Sequence, residues 1–340
     1  MFSALLLCSL AFAESKPLAM QIALDRAGFS CNTIDGVWGR KSEIALAAYE
    51  RSGRKKEELY SAAPPSTFNL QPLFRIATVT LDDLNALVKI PTSPAERANL
   101  PRMGYESIKE MFAERGHLSQ RALERLNPGV DWDHIAVGTL LVIPDFPSIA
   151  DTLKAASRPN RTVAERVEVS LTNFTVTVYG KDDKVLALFP CSIARSKSKL
   201  PPAGELKIVN AIARPNYTYT PDFTPAGKKP KRYVWPEGEN CPIGVAWLGL
   251  NLPGYGIHGT PKPVSSATPN RMAASASRTG TPPASTRSAR PARPSSSCRN
   301  HSRPDSQRLM CASISPHSVG CDAARTSSAS AAVNSGSRRL

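Results

Sequence analysis

Gly254-Tyr255-Gly256-Ile257-His258-Gly259-Thr260-Pro261-Lys262-Pro263 is the stretch on which the reading of this chain turns. Upstream of it, apolar residues recur with the periods of helices and strands. Downstream the periodicity stops. Residues 264–340 hold 11 Arg and 2 Asp, no Lys or Glu, and no Phe, Trp or Tyr. Such a composition has too little apolar side chain to bury a core, so this tail reads as disordered. It also carries +9 of the chain's formal +15. The basic excess therefore sits where no aromatic residue and no regular element accompanies it, and a nucleic-acid partner is not indicated.

Moving upstream, the pattern has period two. Val167, Val169 and Leu171 alternate, then Phe174, Val176 and Val178 alternate with the opposite parity. A turn or bulge at Thr172-Asn173 accounts for the slip, because one extra residue exchanges the two faces of a strand. Gly180-Lys181-Asp182-Asp183 predicts a turn and 185–192 a strand, with further strands over 205–213 and 244–250. Residues 165–263 thus read as a mainly-β sandwich, left incomplete by the break after Pro263. A polar linker, 146–164, precedes it.

Residues 104–145 predict an α+β module. One helix opens at Tyr105-Glu106-Ser107-Ile108, a second runs over 119–126 with Ser119 as N-cap, and 137–144 reads as a strand. Residues 55–103 read as a connector, broken by Pro64-Pro65 and Pro91, with room for one strand over 76–84. Residues 15–54 predict a small all-α module. Met20, Leu24 and Ala27 lie at helical spacing before Gly28, and Ile44, Ala45, Ala48 and Tyr49 mark a second helix. Between them Thr33-Ile34-Asp35-Gly36-Val37-Trp38-Gly39 is a turn-rich loop whose Ile34 and Trp38 can plug the helix pair. Residues 1–13 (MFSALLLCSLAFA) read as a signal peptide ending in a small-x-small cleavage pattern, which implies export.

Seven cysteines are present. Cys8 falls in the leader and Cys298, Cys311 and Cys321 in the tail. The spacing of Cys31, Cys191 and Cys241 suits no metal site, and these three read as small buried hydrophobes, with a disulfide among them left open. No cofactor or metal is expected, and no apolar run is long enough for a transmembrane helix.

Two kinds of resemblance carry function. The words "LDRAGFSCNTIDGVWGRKSEIALAAYE" resemble a peptidoglycan-binding helical module, and the "LNP…GTLLVIP" ending of 104–145 resembles a LysM-type glycan-binding module whose first strand is not evident. Residues 166–263, with "VEVSLTNFTVTVYGKDDKVLALFPCS", "LPPAGELKIVN", "NCPIGVAWLGL" and above all "GYGIHGTPKP", resemble the L,D-transpeptidase catalytic domain of the YkuD-like fold. This resemblance implies a wall enzyme of the periplasm or cell wall that cross-links peptidoglycan stem peptides through a cysteine thioester. His258, Gly259 and Thr260 would wall the active site, and Tyr255 and Gly256 would shape the same cleft. A family member then carries Ser-His-Gly-Cys-x-Arg, whose imidazole generates the attacking thiolate and whose backbone N–H groups stabilise the oxyanion.

That second segment is missing from the printed chain. It is recoverable from the genetic code. Taking the third base of each codon with the first two of the next, Asn270/Arg271 permits Ser and Arg271/Met272 permits His. Met272/Ala273 must read Gly, and Ala273/Ala274 permits Cys. The shifted frame then continues through Val and Arg to Trp at Thr279/Gly280 and Asp at Gly280/Thr281. The expectation is a frameshift near 263–264, with the nucleophile hidden at Ala273/Ala274, its His at Arg271/Met272, and 264–340 out of frame. Ser318-Val319-Gly320-Cys321 imitates the motif but lies too far along and lacks the His. Arg195, Lys197 and Lys199 suit an anionic substrate or, more simply, a solvated loop. On this reading the printed chain lacks nucleophile, base and oxyanion turn and should be inactive. The alternative function is a non-catalytic peptidoglycan-binding protein.

Overall fold

The structure is a computed structural model that describes residues 12–13, 15–61, 73–148, 150–152, 164–193, 204–221 and 231–263. The greater part of the expected leader and linker, the basic cluster at 195–199, the shifted-frame segment and the Ser318–Cys321 decoy lie outside the described residues.

The chain begins with α1 (Lys16–Arg26), α2 (Arg40–Arg51) and the short α3 (Lys56–Ser61). α1 ends where expected, with Ala27 as C-cap and Gly28 at φ +89, the left-handed turn that glycine enters without a Cβ penalty. The loop after it is built on Gln21, which is 2 % exposed. Its amide Nε2 donates to Asp35 Oδ1 and to the Val37 carbonyl, both at 3.0 Å, and its Oε1 accepts from the N–H groups of Asp35 and Gly36 at 3.2 and 2.8 Å. A buried amide must find partners, and here its partners are the turn itself.

Residues 15–54, expected as a module of their own, act in the structure as a wedge between two cores. One face of α1, Leu18 and Ile22, joins Ile34 in a core with Ile108, Met111, Phe112, Leu123, Leu141 and Ile143. The other face, Met20, Ala23 and Leu24, packs with Phe29, Ala45, Ala48 and Tyr49 against Val185 and Leu188. Backbone bonds stitch both seams. Ile34 N donates to His117 O at 2.8 Å and Ser119 N to Ile34 O at 2.9 Å, while Ser30 N donates to Leu188 O at 2.8 Å and Leu188 N to Gly28 O at 3.0 Å. Phe12 and Ala13, the end of the expected leader, are buried in the first core, and Arg125 lies 3.6 Å above the Phe12 ring.

The α+β unit is larger than its predicted bounds. β1 (Phe74–Thr78) pairs antiparallel with β2 (Leu140–Pro144), and β1 lies in the segment expected as connector. It ends earlier than predicted because Thr80 and Asp83 form a capping box that starts α4 (Leu81–Asn85). After α5 (Pro94–Ala98) come α6 (Ile108–Arg115), capped by Ser107, and α7 (Gln120–Leu126), capped by Ser119 as predicted. Asn127 fastens α7 to the sheet. Its Nδ2 donates to the carbonyls of Leu123 and Val142, both at 2.9 Å, and its Oδ1 accepts from Val142 N at 2.6 Å.

The C-terminal described region is mainly β, as predicted. β3 (Arg166–Ser170), β4 (Thr175–Tyr179) and β5 (Val185–Pro190) form one antiparallel sheet in that order. The expected parity slip is a four-residue turn in which Phe174 adopts φ +53. β6 (Ile208–Ala213) begins three residues later than predicted. A hairpin the sequence did not disclose follows, β7 (Tyr217–Tyr219) with β8 (Tyr233–Trp235). β9 (Ala246–Leu250) and β10 (Gly256–His258) complete a second sheet in the order β10-β9-β6. Val169, Val176, Val178, Phe189 and Cys191 from the first sheet meet Ile257, with Leu248 beside it, from the second. That is the predicted sandwich; Val176 and Val178 of β4 and Ala187 and Phe189 of β5 turn inward, whereas β6 is exposed along most of its length.

Candidate active site

β10 is the Gly256-Ile257-His258 of the opening motif. It pairs with β9 in the register Gly256↔Gly249, Ile257↔Leu248, His258↔Trp247. The period of two sends Ile257 into the sandwich core, 1 % exposed, and sets His258 beside Trp247. The two rings stack at 5.7 Å with 14° between their planes. Gly256 makes room for this. A Cβ there would lie 2.5 Å from Trp247 Cζ2.

His258 is 6 % exposed, and its Nδ1 lies 2.7 Å from the carbonyl oxygen of Gly259. A carbonyl only accepts, so Nδ1 carries the proton and Nε2 keeps its lone pair. Burial lowers the imidazole's pKa, an effect the carbonyl bond partly opposes. The ring is therefore neutral near physiological pH, with Nε2 as its unprotonated nitrogen.

Gly259 and Thr260 are held by backbone packing. Gly259 N donates to Ala246 O at 3.0 Å, and Gly244, at φ +60, crosses Gly259 so closely that a Cβ on it would stand 2.7 Å from Gly259 Cα and 2.8 Å from Thr260 N. Thr260 is 4 % exposed, and its Oγ1 accepts from Lys262 N at 3.1 Å. Tyr255 contributes backbone: its N–H donates to Leu252 O at 3.1 Å and its carbonyl accepts from Leu250 N at 3.0 Å. The motif thus comes together as one short strand and its exit. Trp247 was not singled out from sequence. Its signal lay in pairing "VAWLGL" with "GYGIH" across the turn at Pro253-Gly254, which puts it opposite His258.

The cysteines among the described residues, Cys31, Cys191 and Cys241, are buried and form no disulfide. Cys241 Sγ lies 3.8 Å from Pro215 O, and burial pushes its thiol up to about 11. Burial raises the Cys31 thiol further still. Both remain protonated at neutral pH. Cys191 is 0 % exposed inside the sandwich, out of reach of a peptide substrate. Among the described residues no group of three His, Cys, Asp or Glu is placed to hold a metal, and no helix is long and apolar enough to cross a membrane.

Comparison with known proteins agrees with this geometry. A Bacillus licheniformis protein named, provisionally, L,D-transpeptidase YkuD is 28 % identical over 156 residues, which span 46 % of this chain and 72 % of that protein. Residues 164–310 match the model of the YkuD family, described as the L,D-transpeptidase catalytic domain. Those residues take in both sheets of the sandwich and the His258 strand, so the part of the chain that holds the candidate site is the part similar to the L,D-transpeptidase catalytic domain.

Proposed function

We propose that the gene encodes an exported transferase that cross-links peptidoglycan stem peptides. The observation that carries this is the buried, neutral His258 on its paired strand, inside the region that matches the transpeptidase domain. In the reaction the cysteine thiolate attacks the carbonyl before a terminal D-Ala. The C–N bond breaks, D-Ala leaves as the amine, and a thioester remains. An amine of a second stem peptide then takes the acyl group and the thiol is regenerated. The helical wedge and the α+β unit, read as peptidoglycan-binding and LysM-like, would hold the protein on the wall.

The printed chain is inactive in this proposal, because its thiol is encoded in the neighbouring frame. The permitted Ser-His-Gly-Cys-Val-Arg supports a frame change near 263–264. The family match in the printed frame, which does not stop at Pro263 but runs to residue 310, weighs against it. Resequencing the gene through codons 260–285 decides between them. The chain as printed is expected to show no exchange of D-Ala, and a version with the frame restored at 263–264 to show it. Turnover by the printed chain refutes the claim of inactivity.

A second reading is a wall-binding protein without catalysis, favoured by the completed β1–β2 unit that the α+β resemblance requires. Co-sedimentation with insoluble peptidoglycan tests it. A chain that stays in the supernatant removes this reading and leaves the first standing.

A further inference from the structure

On the wedge, far from His258 in sequence, α1, the following loop and α3 form a pocket. Its volume is about 220 Å³, and it is lined by Lys16, Pro17, Met20, Trp38 and Lys56. The lining is divided by chemistry. Pro17, the 3 % exposed Met20 and the Trp38 ring make an apolar floor and wall, and the two lysines bring positive charge to it. Positive potential is reinforced by α1, which has no acidic residue in its first turn and no side-chain bond from its N-cap Ser15. Of the acidic residues that open α3, Glu58 is already engaged, by Tyr49 Oη at 3.4 Å and Lys55 N at 3.2 Å.

The aromatic wall is held in place. Trp38 follows the loop that the buried Gln21 pins through Asp35, Gly36 and Val37. Gly36, at φ +73, packs its bare Cα against the Phe12 ring, where a Cβ would collide. A loop tied from both sides presents its indole at little entropic cost on binding. The volume is below that of pockets for drug-sized ligands, so one sugar ring or one to two amino acids is the size that fits.

We infer that this pocket is a binding site for a carboxylate carried on a ring or methyl-bearing body. The anion lies between Lys16 and Lys56, and the body lies against Trp38 and Met20. It depends on the wall-directed reading only for the choice of probes, since a carboxylate of this kind occurs both on lactyl-substituted amino sugars and at the ends of stem peptides.

The test is calorimetric titration of the full printed chain, which needs no catalysis and so stands or falls apart from the transpeptidase activity. N-acetylmuramic acid and N-acetyl-D-Ala-D-Ala are the two carboxylate probes, and N-acetylglucosamine is the neutral control. At least one carboxylate probe is expected to bind, and which one does identifies the source. N-acetylglucosamine should bind about tenfold more weakly. Lys56→Gln should weaken binding about tenfold and flatten its salt dependence, and Trp38→Ala should weaken it with the salt dependence kept. Lys56→Gln alters an accessible side chain, so loss of fold does not obscure the result; Trp38→Phe is the milder second variant. No binding of either carboxylate, equal binding of the neutral sugar, or binding unmoved by Lys56→Gln overturns the assignment.

Discussion

The imidazole of His258 donates through Nδ1 to the carbonyl of the next residue, which leaves Nε2 as its basic nitrogen. Two-dimensional nitrogen-15 NMR of the ring should show this single tautomer at neutral pH. A dominant Nε2–H form would contradict it. Because burial lowers the folded-state pKa, the unfolded chain binds more protons than the folded one between the folded value and about 6.5. Stability is therefore expected to rise with pH through that window and to be lost as pH falls through it. His258→Gln should flatten this part of a denaturation-versus-pH curve. Gly244 is the other residue on which the motif rests. Gly244→Ala forces a Cβ at φ +60 into the Gly259 backbone and is expected to cost about 2 kcal/mol or more in a urea titration. A loss under about 0.5 kcal/mol would mean that the crossing is looser than drawn.

Among the elements, the β1–β2 ladder shows where sequence reading lost its way. The strand at Phe74–Thr78 is separated from its partner at Leu140–Pro144 by four helices. Nothing local marks them as a pair. The N-caps Ser107 and Ser119 are local signals, each a hydroxyl three residues before the N–H it accepts from, and Ser119 was legible for that reason. Asn127 makes two side-chain bonds to Val142 of β2 and one back to Leu123 of α7, and so joins the helix to the strand. Asn127→Ala should cost about 2–3 kcal/mol by chemical denaturation, since the N–H and carbonyl of Val142 lose their side-chain partner. A neutral result would show that α7 and β2 are held by their apolar contacts alone.

At the scale of the whole molecule, parts that read as beads on a string share their cores. Phe29 lies between α2 and β5, with its ring edge-on to Tyr49 at 5.4 Å, and α1 buries opposite faces in two clusters. A second seam joins the α+β unit to the sandwich. Arg102 pairs with Glu239 at 2.6 Å, Trp235 Nε1 donates to Pro94 O at 2.9 Å, and Asn240 N donates to Met103 O at 2.8 Å. Calorimetry of the printed chain is therefore expected to give one cooperative transition over residues 15–263. Phe29→Ala, a large-to-small change at 0 % exposure, should lower that whole transition by about 3–5 kcal/mol. Two separable transitions, with only one moved by Phe29→Ala, would restore the picture of independent modules.

The amino-acid order alone determined what depends on near neighbours. The parity slip before Phe174, the helix end at Gly28 and the Ser119 cap all follow from residue type and spacing, and the loss of periodicity after Pro263 is compositional. Tertiary structure decided what depends on residues far apart in the chain. It placed Trp247 beside His258, fixed the proton on Nδ1, paired β1 with β2 and turned α1 into a wedge between two cores. The reason is physical. Dihedral preferences and periodicity act over a few residues, whereas burial and cross-strand pairing are settled only when the whole chain closes on itself.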